Sequence, residues 1–596
     1  MSIQLDFNDP YSKTYGNQYI EKMKYLVKVI MEYETGEDVF NVLNFETGLG
    51  KSYTVNRLLN EILNIQSLPG FNKPNDNYLV VKKFNEDSIQ SVDFINLLDI
   101  HDDAIAITHE NWSQWRKKLH KLKDKRMVFI SHQRYIKLCE NEKIKNAFAE
   151  GRKTLIIDEK VNFPIFTFNK KKDAVIYEIL PTELKPTYLK VVKSLGNFID
   201  KQIALKQTNK VFTHKFKLHP ATLKNFLREA NLALDNYTIS NSDHRKVLAE
   251  FINEIPFFFE NILLYNSGNL STRNPSHKHW GLKNNIILDA SAKIDGVYTC
   301  NPNKFKLLDQ TRIIDHTEST FNVYNYNSSK SNVINHKANY FNELIDKIIS
   351  TQQPEDKILL VSHKELAENL HERIIRNHPN VTVWKDKDDK ENDPDYDNQS
   401  IAISWYGNLI GKNWASDFNK VWLISTPNLP LEHYLIQFLH YSDDKIGNKS
   451  TQVYRGKYKN AIFKSIQNGY IAAEMYQTLK RIQRNPNPKG EFNLVVQNED
   501  IINAVFSQIK NVNYYGEMKE LEFSRQIEEE KQLNKKPDQV DLFIQNLNVI
   551  DKGIYKKSEI SERLKIAKLN RVLSDARVKV LLGSRLVINN RTIEIL

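Results

Sequence analysis

The sequence predicts an α/β protein. It has two successive domains built on parallel sheets, a helical insertion within the first, and a small α+β module near the carboxyl end. Three observations carry this prediction. Short runs rich in β-branched and aromatic residues alternate with stretches of helical apolar spacing, the pattern of strands covered on both faces. A glycine loop lies between the first such run and a helix. At 596 residues the chain exceeds what one hydrophobic core holds.

Taken in order, residues 19–34 (YIEKMKYLVKVIMEYE) read as a helix, and residues 41–45 as a strand. The loop ETGLGKS and the helical stretch SYTVNRLLNEIL follow. NYLVVKKF, DAIAITHENW, RMVFISHQRY and KTLIIDEKV read as further strands, and NNIILDASA resumes the series at Asn284. From Phe168 to that point the pattern is mostly helical (TYLKVVKSLGNFIDKQIAL, PATLKNFLREANLAL, DHRKVLAEFINEIPFFFENILL), which reads as an insertion. A second alternating unit starts near Phe321 with FNVYNY, NYFNELIDKIIS, DKILLVSH and KELAENLHERII. SIAISWYG and KVWLIST come after the charged run KDKDDKENDPDYDN, read as a solvated loop. The expected division is 1–167 plus 284–320 for the first sheet domain, 168–283 for the insertion and 321–500 for the second sheet domain. A linker or exposed helix at 501–540 leads to a basic module at 541–596. In that module RLVINNRTIEIL reads as a hairpin turning at Asn589-Asn590, a pattern that suits a winged helix.

A hydrophobic fraction of 40% suffices for burial, and no run of eighteen apolar residues suggests a membrane span. The amino-terminal stretch lacks a basic-then-apolar signal pattern, so a soluble cytoplasmic protein is expected. Two cysteines, Cys139 and Cys300, exclude a disulfide framework and any cysteine-ligated zinc or iron–sulfur site within the chain. The net charge of +11 is segregated. Residues 168–285 hold 18 Lys and Arg against 10 Asp and Glu, and residues 550–596 hold 11 against 5. Positive charge gathered this way suits a polyanion, although a coding bias towards lysine gives the same excess.

Two stretches carry the chemistry. In ETGLGKS the backbone N–H groups of Thr47, Gly48, Leu49, Gly50, Lys51 and Ser52 would cradle phosphates at a helix N-terminus. Lys51 would reach the β and γ phosphates, and the Ser52 hydroxyl would ligate Mg²⁺. The strict phosphate-loop pattern wants a glycine where Phe45 stands. In TLIIDEK, Asp158 and Glu159 end a buried strand at the edge where open α/β sheets bind ligands. Asp158 would hold the metal and Glu159 would orient or deprotonate a water.

With these two motifs in place the chain resembles the superfamily 2 helicases and translocases. Their first motif, x-x-T-G-x-G-K-[ST], needs no early glycine and is matched from Glu46 to Ser52. VFISHQRY, with His132-Gln133, looks like the strand end that faces nucleic acid. LDASA, with Ser291-Ala292, is similar to the Ser-Ala-Thr motif coupling the ATP and nucleic-acid sites, with Lys293 in place of threonine. ILLVSHK resembles the fourth motif and YGNLIGKNW, with Gly411 and Asn413, the fifth. QTLKRIQR resembles Gln-x-x-Gly-Arg-x-x-Arg, with Lys480 in the glycine's place. The resemblance implies two tandem RecA-like domains binding ATP and Mg²⁺ between them. Arg481 and Arg484 become arginine fingers beside Gln477, and Gln18 an adenine contact. Helical spacing of Gln477, Arg481 and Arg484 also fits a plain polar helix face, and a solvent-facing glutamine fits Gln18.

The insertion resembles, in placement alone, the arch domain of the DNA helicases with iron–sulfur clusters, and the cluster cysteines are absent. A basic helical layer would clamp a phosphate backbone. Tyr188, Phe212, Phe216 and Trp280 are candidates for base stacking or for the core. The implied function is an ATP-dependent helicase or translocase acting on DNA rather than RNA. A nuclease or replication factor is a possible protein partner, and no membrane is involved. Rival readings are an RNA helicase, a plain phosphate-loop ATPase, and an ATP-gated switch or scaffold that recruits a partner without unwinding. Lys160, Val161, Lys293 and Lys480, which depart from the family pattern, keep the switch open.

Overall fold

The computed structural model describes residues 5–66, 77–96, 103–206, 210–236, 239–385, 400–409, 414–442, 451–454, 456–526, 538–547, 549–566 and 568–596. Two compact units result, Met1–Lys519 and Glu520–Leu596.

The larger unit opens with the helix Pro10–Glu32. Its start is fixed by Asp9, whose carboxylate accepts the Ser12 N–H at 2.8 Å while the Ser12 hydroxyl accepts the Asp9 N–H at 2.9 Å. Strands β1 (Phe40–Leu43), β2 (Tyr78–Lys82), β3 (Ala104–Ile107), β4 (Met127–Ser131) and β5 (Thr154–Asp158) are short and buried over nearly their whole length. That burial is why they read as mostly apolar runs without a polar alternation.

The insertion leaves after β5. Four helices, Lys170–Ile179, Lys185–Ala204, Pro220–Asp235 and Ser242–Glu254, enclose a core of Ile176, Tyr188, Leu195, Phe226 and Phe251. The stretch is not helical alone. β6 (Phe166–Phe168), β7 (Phe212–His214), β8 (Leu263–Asn266) and β9 (Asn269–Thr272) form an antiparallel sheet in the order β6-β9-β8-β7. Strands of three or four residues are too short for a period-two signal, and β6 finds its partner, β9, across the whole insertion. The stacking candidates are packed inside. Tyr188 is fully buried and donates to Asp173 Oδ1 at 2.7 Å, Trp280 stacks on Tyr135 with ring centroids 4.9 Å apart, and Phe216 and Phe212 pack with the insertion core.

The first sheet resumes with β10 (Asn284–Leu288) and β11 (Phe305–Leu308), giving seven parallel strands in the order β11-β1-β10-β5-β2-β4-β3. Leu43 pairs with Leu288 and Leu288 with Asp158, so β1, β10 and β5 end at one level and their following loops share one edge. Phe40, Val42, Leu79 and Val81 face one core, and Leu43, Val80, Phe129 and Ile156 the other.

The second sheet contains β12 (Thr320–Tyr324), β13 (Ile358–Ser362), β14 (Val383–Lys385), β15 (Ile401–Trp405) and β16 (Lys420–Leu423). A small hairpin, β17 (Val453–Tyr454) with β18 (Lys457–Tyr458), precedes its sixth strand, β19 (Glu491–Val495). All six are parallel, in the order β12-β19-β16-β13-β15-β14. The chain thus has the expected architecture of two tandem parallel-sheet domains of RecA-like type. Ile501, Ile502 and Val505 of the helix Glu499–Phe506 join the core of this sheet, whose packing continues past residue 500.

The smaller unit is α+β. Helices Gln539–Asn546, Lys557–Arg563, Leu569–Leu573 and Ala576–Lys579 pack with β20 (Gly553–Lys556), β21 (Leu586–Ile588) and β22 (Thr592–Ile595). Its sheet is antiparallel, and β21 and β22 form a hairpin through Asn589 and Asn590. Among the described residues no helix is long and apolar enough to cross a membrane.

Candidate nucleotide site

The loop after β1 turns into the helix Lys51–Gln66 through two glycines at positive φ, Gly48 at 91° and Gly50 at 64°. L side chains rarely adopt that conformation. A Cβ at Gly50 would also meet the Tyr11 ring at 2.9 Å. Phe45, where the strict pattern has glycine, is fully buried and anchors the loop in the core. Leu49 points inward too, which leaves backbone to line the loop's open side. Lys51 Nζ donates to the carbonyls of Phe45 at 3.1 Å and Glu46 at 3.2 Å, and enclosure holds its pKa below the usual lysine value.

At the end of β5, Asp158 Oδ2 accepts from Ser52 Oγ at 2.7 Å and from Lys82 Nζ at 2.9 Å. Burial alone would raise this carboxyl's pKa, but the Lys82 charge and these hydrogen bonds outweigh it and hold it low. Glu159 takes φ 70°, strained for a non-glycine residue, and its N–H is held by the Leu288 carbonyl at 3.0 Å. Burial raises the pKa of its carboxyl, against the pull of Lys83 and Arg481. His132 does not face outward. Its Nε2 donates to the Asp158 carbonyl at 2.9 Å, and burial pushes its pKa down to about 4, so it braces the acidic strand end as a neutral ring. Gln133, the next residue, is exposed.

The opposite wall comes from the end of the helix Ala461–Leu479. Gln477 Nε2 donates to Ser291 Oγ at 3.1 Å, and Ser291 Oγ donates to Asp289 Oδ1 at 2.7 Å. Ala292 is fully buried beside them. This register depends on close backbone approach: a Cβ at Gly469 would lie 2.4 Å from the Ile294 carbonyl, and one at Gly296 2.8 Å from Ile466 N. The Arg484 stem crosses to the glycine loop, where Cδ would sit 3.6 Å from a Gly48 Cβ. Arg481 is 5% exposed, and its Nε has no hydrogen-bond partner among the described residues.

A cavity of about 650 Å³ results, lined by Thr47, Gly48, Gly50, Lys51 and Ser52, by Asp158 and Glu159, and by Gln477, Arg481 and Arg484. Gln18 does not line it. That side chain is exposed and borders a separate depression with Lys22 and Arg312, because the helix presents Tyr11 and Tyr15 to the cavity instead. Gly411 and Asn413 lie outside the described residues. Tyr11, Tyr15 and Lys82 were not foreseen. Their only sequence signals are an i, i+4 aromatic pair ahead of Gln18 and a strand ending in two lysines. Chemically, the cavity offers cationic donors to a polyanion, a hydroxyl–carboxylate pair suited to a hard cation, and a carboxylate of raised proton affinity.

No family model matches the chain, and no curated protein matches it. Among solved structures it is similar to S. tokodaii Xpd4, at TM-score 0.48 and 13% identity over 83% of this chain and 99% of that one. It is also similar to Mss116p bound to ssRNA and AMP-PNP, at 0.35 and 12% over 95% and 87%. A third similar structure, S. cerevisiae dbp5 bound to nup159, gle1, ip6 and adp, gives 0.29 and 9% over 89% and 100%.

Proposed function

We propose that this chain is an ATP-hydrolysing motor acting on nucleic acid, DNA in preference to RNA. In this reading 1–167 with 284–320, and 321–500, are its two motor domains. The insertion 168–283 and the terminal module 541–596 supply basic surfaces. One observation carries it. The cavity joins Lys51, Ser52, Asp158 and Glu159 on the first sheet to Gln477, Arg481 and Arg484 beyond the second. Donor sets split between two domains suit phosphoryl transfer timed by domain closure.

The residues fit a nucleoside triphosphate with Mg²⁺. The glycines leave room for backbone to approach phosphates, Arg481 Nε is buried without a hydrogen-bond partner among the described residues, and Ser52 already meets Asp158. Ser52 and Asp158 would hold the metal, which when bound neutralises phosphate charge. Lys51 would exchange the loop carbonyls for phosphate oxygens. Glu159, whose raised pKa strengthens it as a base, would take the proton of the attacking water. Arg481 and Arg484 would stabilise negative charge at the transferred group. The preference for DNA rests on where the insertion lies and on the basic α+β module. The test is steady-state hydrolysis by wild type and Lys51→Ala, alone and with single-stranded DNA, duplex DNA and RNA. Stimulation by one polymer, with an inactive variant, supports the motor and names its substrate. Hydrolysis indifferent to every polymer overturns it.

A further inference from the structure

Behind the cavity, the phosphate loop and the arginine-bearing segment meet through a buried charge pair. Glu46, just before Thr47, is 1% exposed. Its Oε2 accepts the N–H groups of Ile313 at 2.6 Å and Ile314 at 3.2 Å, in the connection between the two sheets. Its Oε1 has no hydrogen-bond partner among the described residues and lies 3.9 Å from Lys480 Nζ, which is buried as well.

Lys480 immediately precedes Arg481 and donates to His316 Nε2 at 2.9 Å. The direction of this chain of bonds follows from its far end. Ser319 Oγ donates to the Pro488 carbonyl at 2.7 Å and therefore accepts from His316 Nδ1 at 3.0 Å, leaving Nε2 to accept. His316 is neutral, since burial and then the Lys480 charge push its pKa down to about 2. Glu46 is thus the countercharge of Lys480. Burial brings the lysine's pKa down to about 8, Glu46 opposes that fall, and Arg312 and Arg484 add to it.

We infer that Glu46 and Lys480 are a positioning pair that keeps Arg481 and Arg484 in register with the phosphate loop and sets the closed geometry of the cleft. Neither touches a reacting group in the mechanism above. A buried pair with one member removed leaves an uncompensated charge, and the contact between the two segments loosens. The consequence for hydrolysis rests on the motor reading, whereas the tether itself does not.

The test places spin labels at Lys24→Cys and Asn339→Cys, exposed positions on the two sheet domains, in a chain carrying Cys139→Ser and Cys300→Ser. Pulsed electron resonance without nucleotide compares this parent with Glu46→Gln, Lys480→Met and the double variant. Hydrolysis and fluorescent-ADP affinity are measured alongside. A narrow parental distance distribution should broaden to longer distances in both single variants, and no further in the double variant. The kcat should fall about tenfold while ADP affinity stays within about threefold. Distributions unchanged in both variants, or, where the parent hydrolyses ATP, a kcat at the parental level in both, overturn the inference. A parent that hydrolyses nothing while its variants still broaden sinks the motor reading and leaves the tether standing. Should Lys480→Met fail to fold, Glu46→Gln decides, because it keeps the side chain's shape and an oxygen for Ile313 and Ile314.

Discussion

Lys82 offers a measurable test of the acidic strand end. Its ammonium lies 2.9 Å from Asp158 Oδ2, and the two side chains are 4% and 15% exposed. Lys82→Met removes the nearer cation from a carboxylate that keeps Ser52 as a hydrogen-bond donor and Lys51 as a more distant charge. Breaking such a pair costs about 3 kcal/mol, the lower end of what buried pairs lose when one partner is truncated. With an unfolding entropy of about 0.6 kcal/mol/K for a cooperative unit of about 300 residues, the midpoint should fall by about 5 °C. Differential scanning calorimetry at pH 7 measures this. The same experiment with saturating ADP and magnesium should raise the variant's midpoint by about 3 °C more than wild type's, because Asp158 regains a countercharge. An unchanged midpoint, or equal ligand shifts in the two proteins, would refute the reasoning.

Gly50→Ala should weaken ADP binding at least about tenfold in a fluorescence titration and cost about 2 kcal/mol in urea unfolding. The new Cβ needs φ 64° and meets the Tyr11 ring. Glu159→Gln should bind ADP like wild type and hydrolyse ATP about a hundredfold more slowly in a phosphate-release assay, the signature of a lost base. Acid should destabilise the protein early. Burial holds His132 and His433 at about 4 and His440 at about 3, below the ordinary histidine value, so protonation favours the unfolded chain. Stability is full above pH about 6.5 and falls towards pH 4, by about 3 kcal/mol for His132 alone, in urea titrations across that range.

What was legible in the sequence is what local chemistry dictates. Gly48, Gly50 and Lys51 announce themselves because a phosphate loop needs those residue types next to one another, and β1, β5 and β10 because a strand covered on both faces is rich in apolar residues on both. Phe45 passed for a defect in the pattern and proves to be an anchor in the core. Contacts between distant segments left no local mark. Nothing near Tyr11 says that its ring lies over Gly50, and nothing near Lys82 says that it meets Asp158. Gln18 follows the solvent-facing alternative, because Tyr11 and Tyr15 of the same helix turn towards the cavity instead. His132, which the resemblance places facing nucleic acid, turns inward because the Asp158 carbonyl supplies it with an interior partner.

The insertion is spliced into the sheet at a particular place. It departs a few residues after Asp158 and returns through β10, the strand hydrogen-bonded to β5 along its full length. One attachment therefore continues straight on from Glu159 at the end of β5, and the other enters β10 at the end opposite Ser291. Tension applied to the insertion is delivered to the middle of the first sheet, and these neighbouring strands share it as shear along one ladder. A load on that lobe would strain the strand ends that carry Asp158 and Glu159 directly, with no separate relay between them.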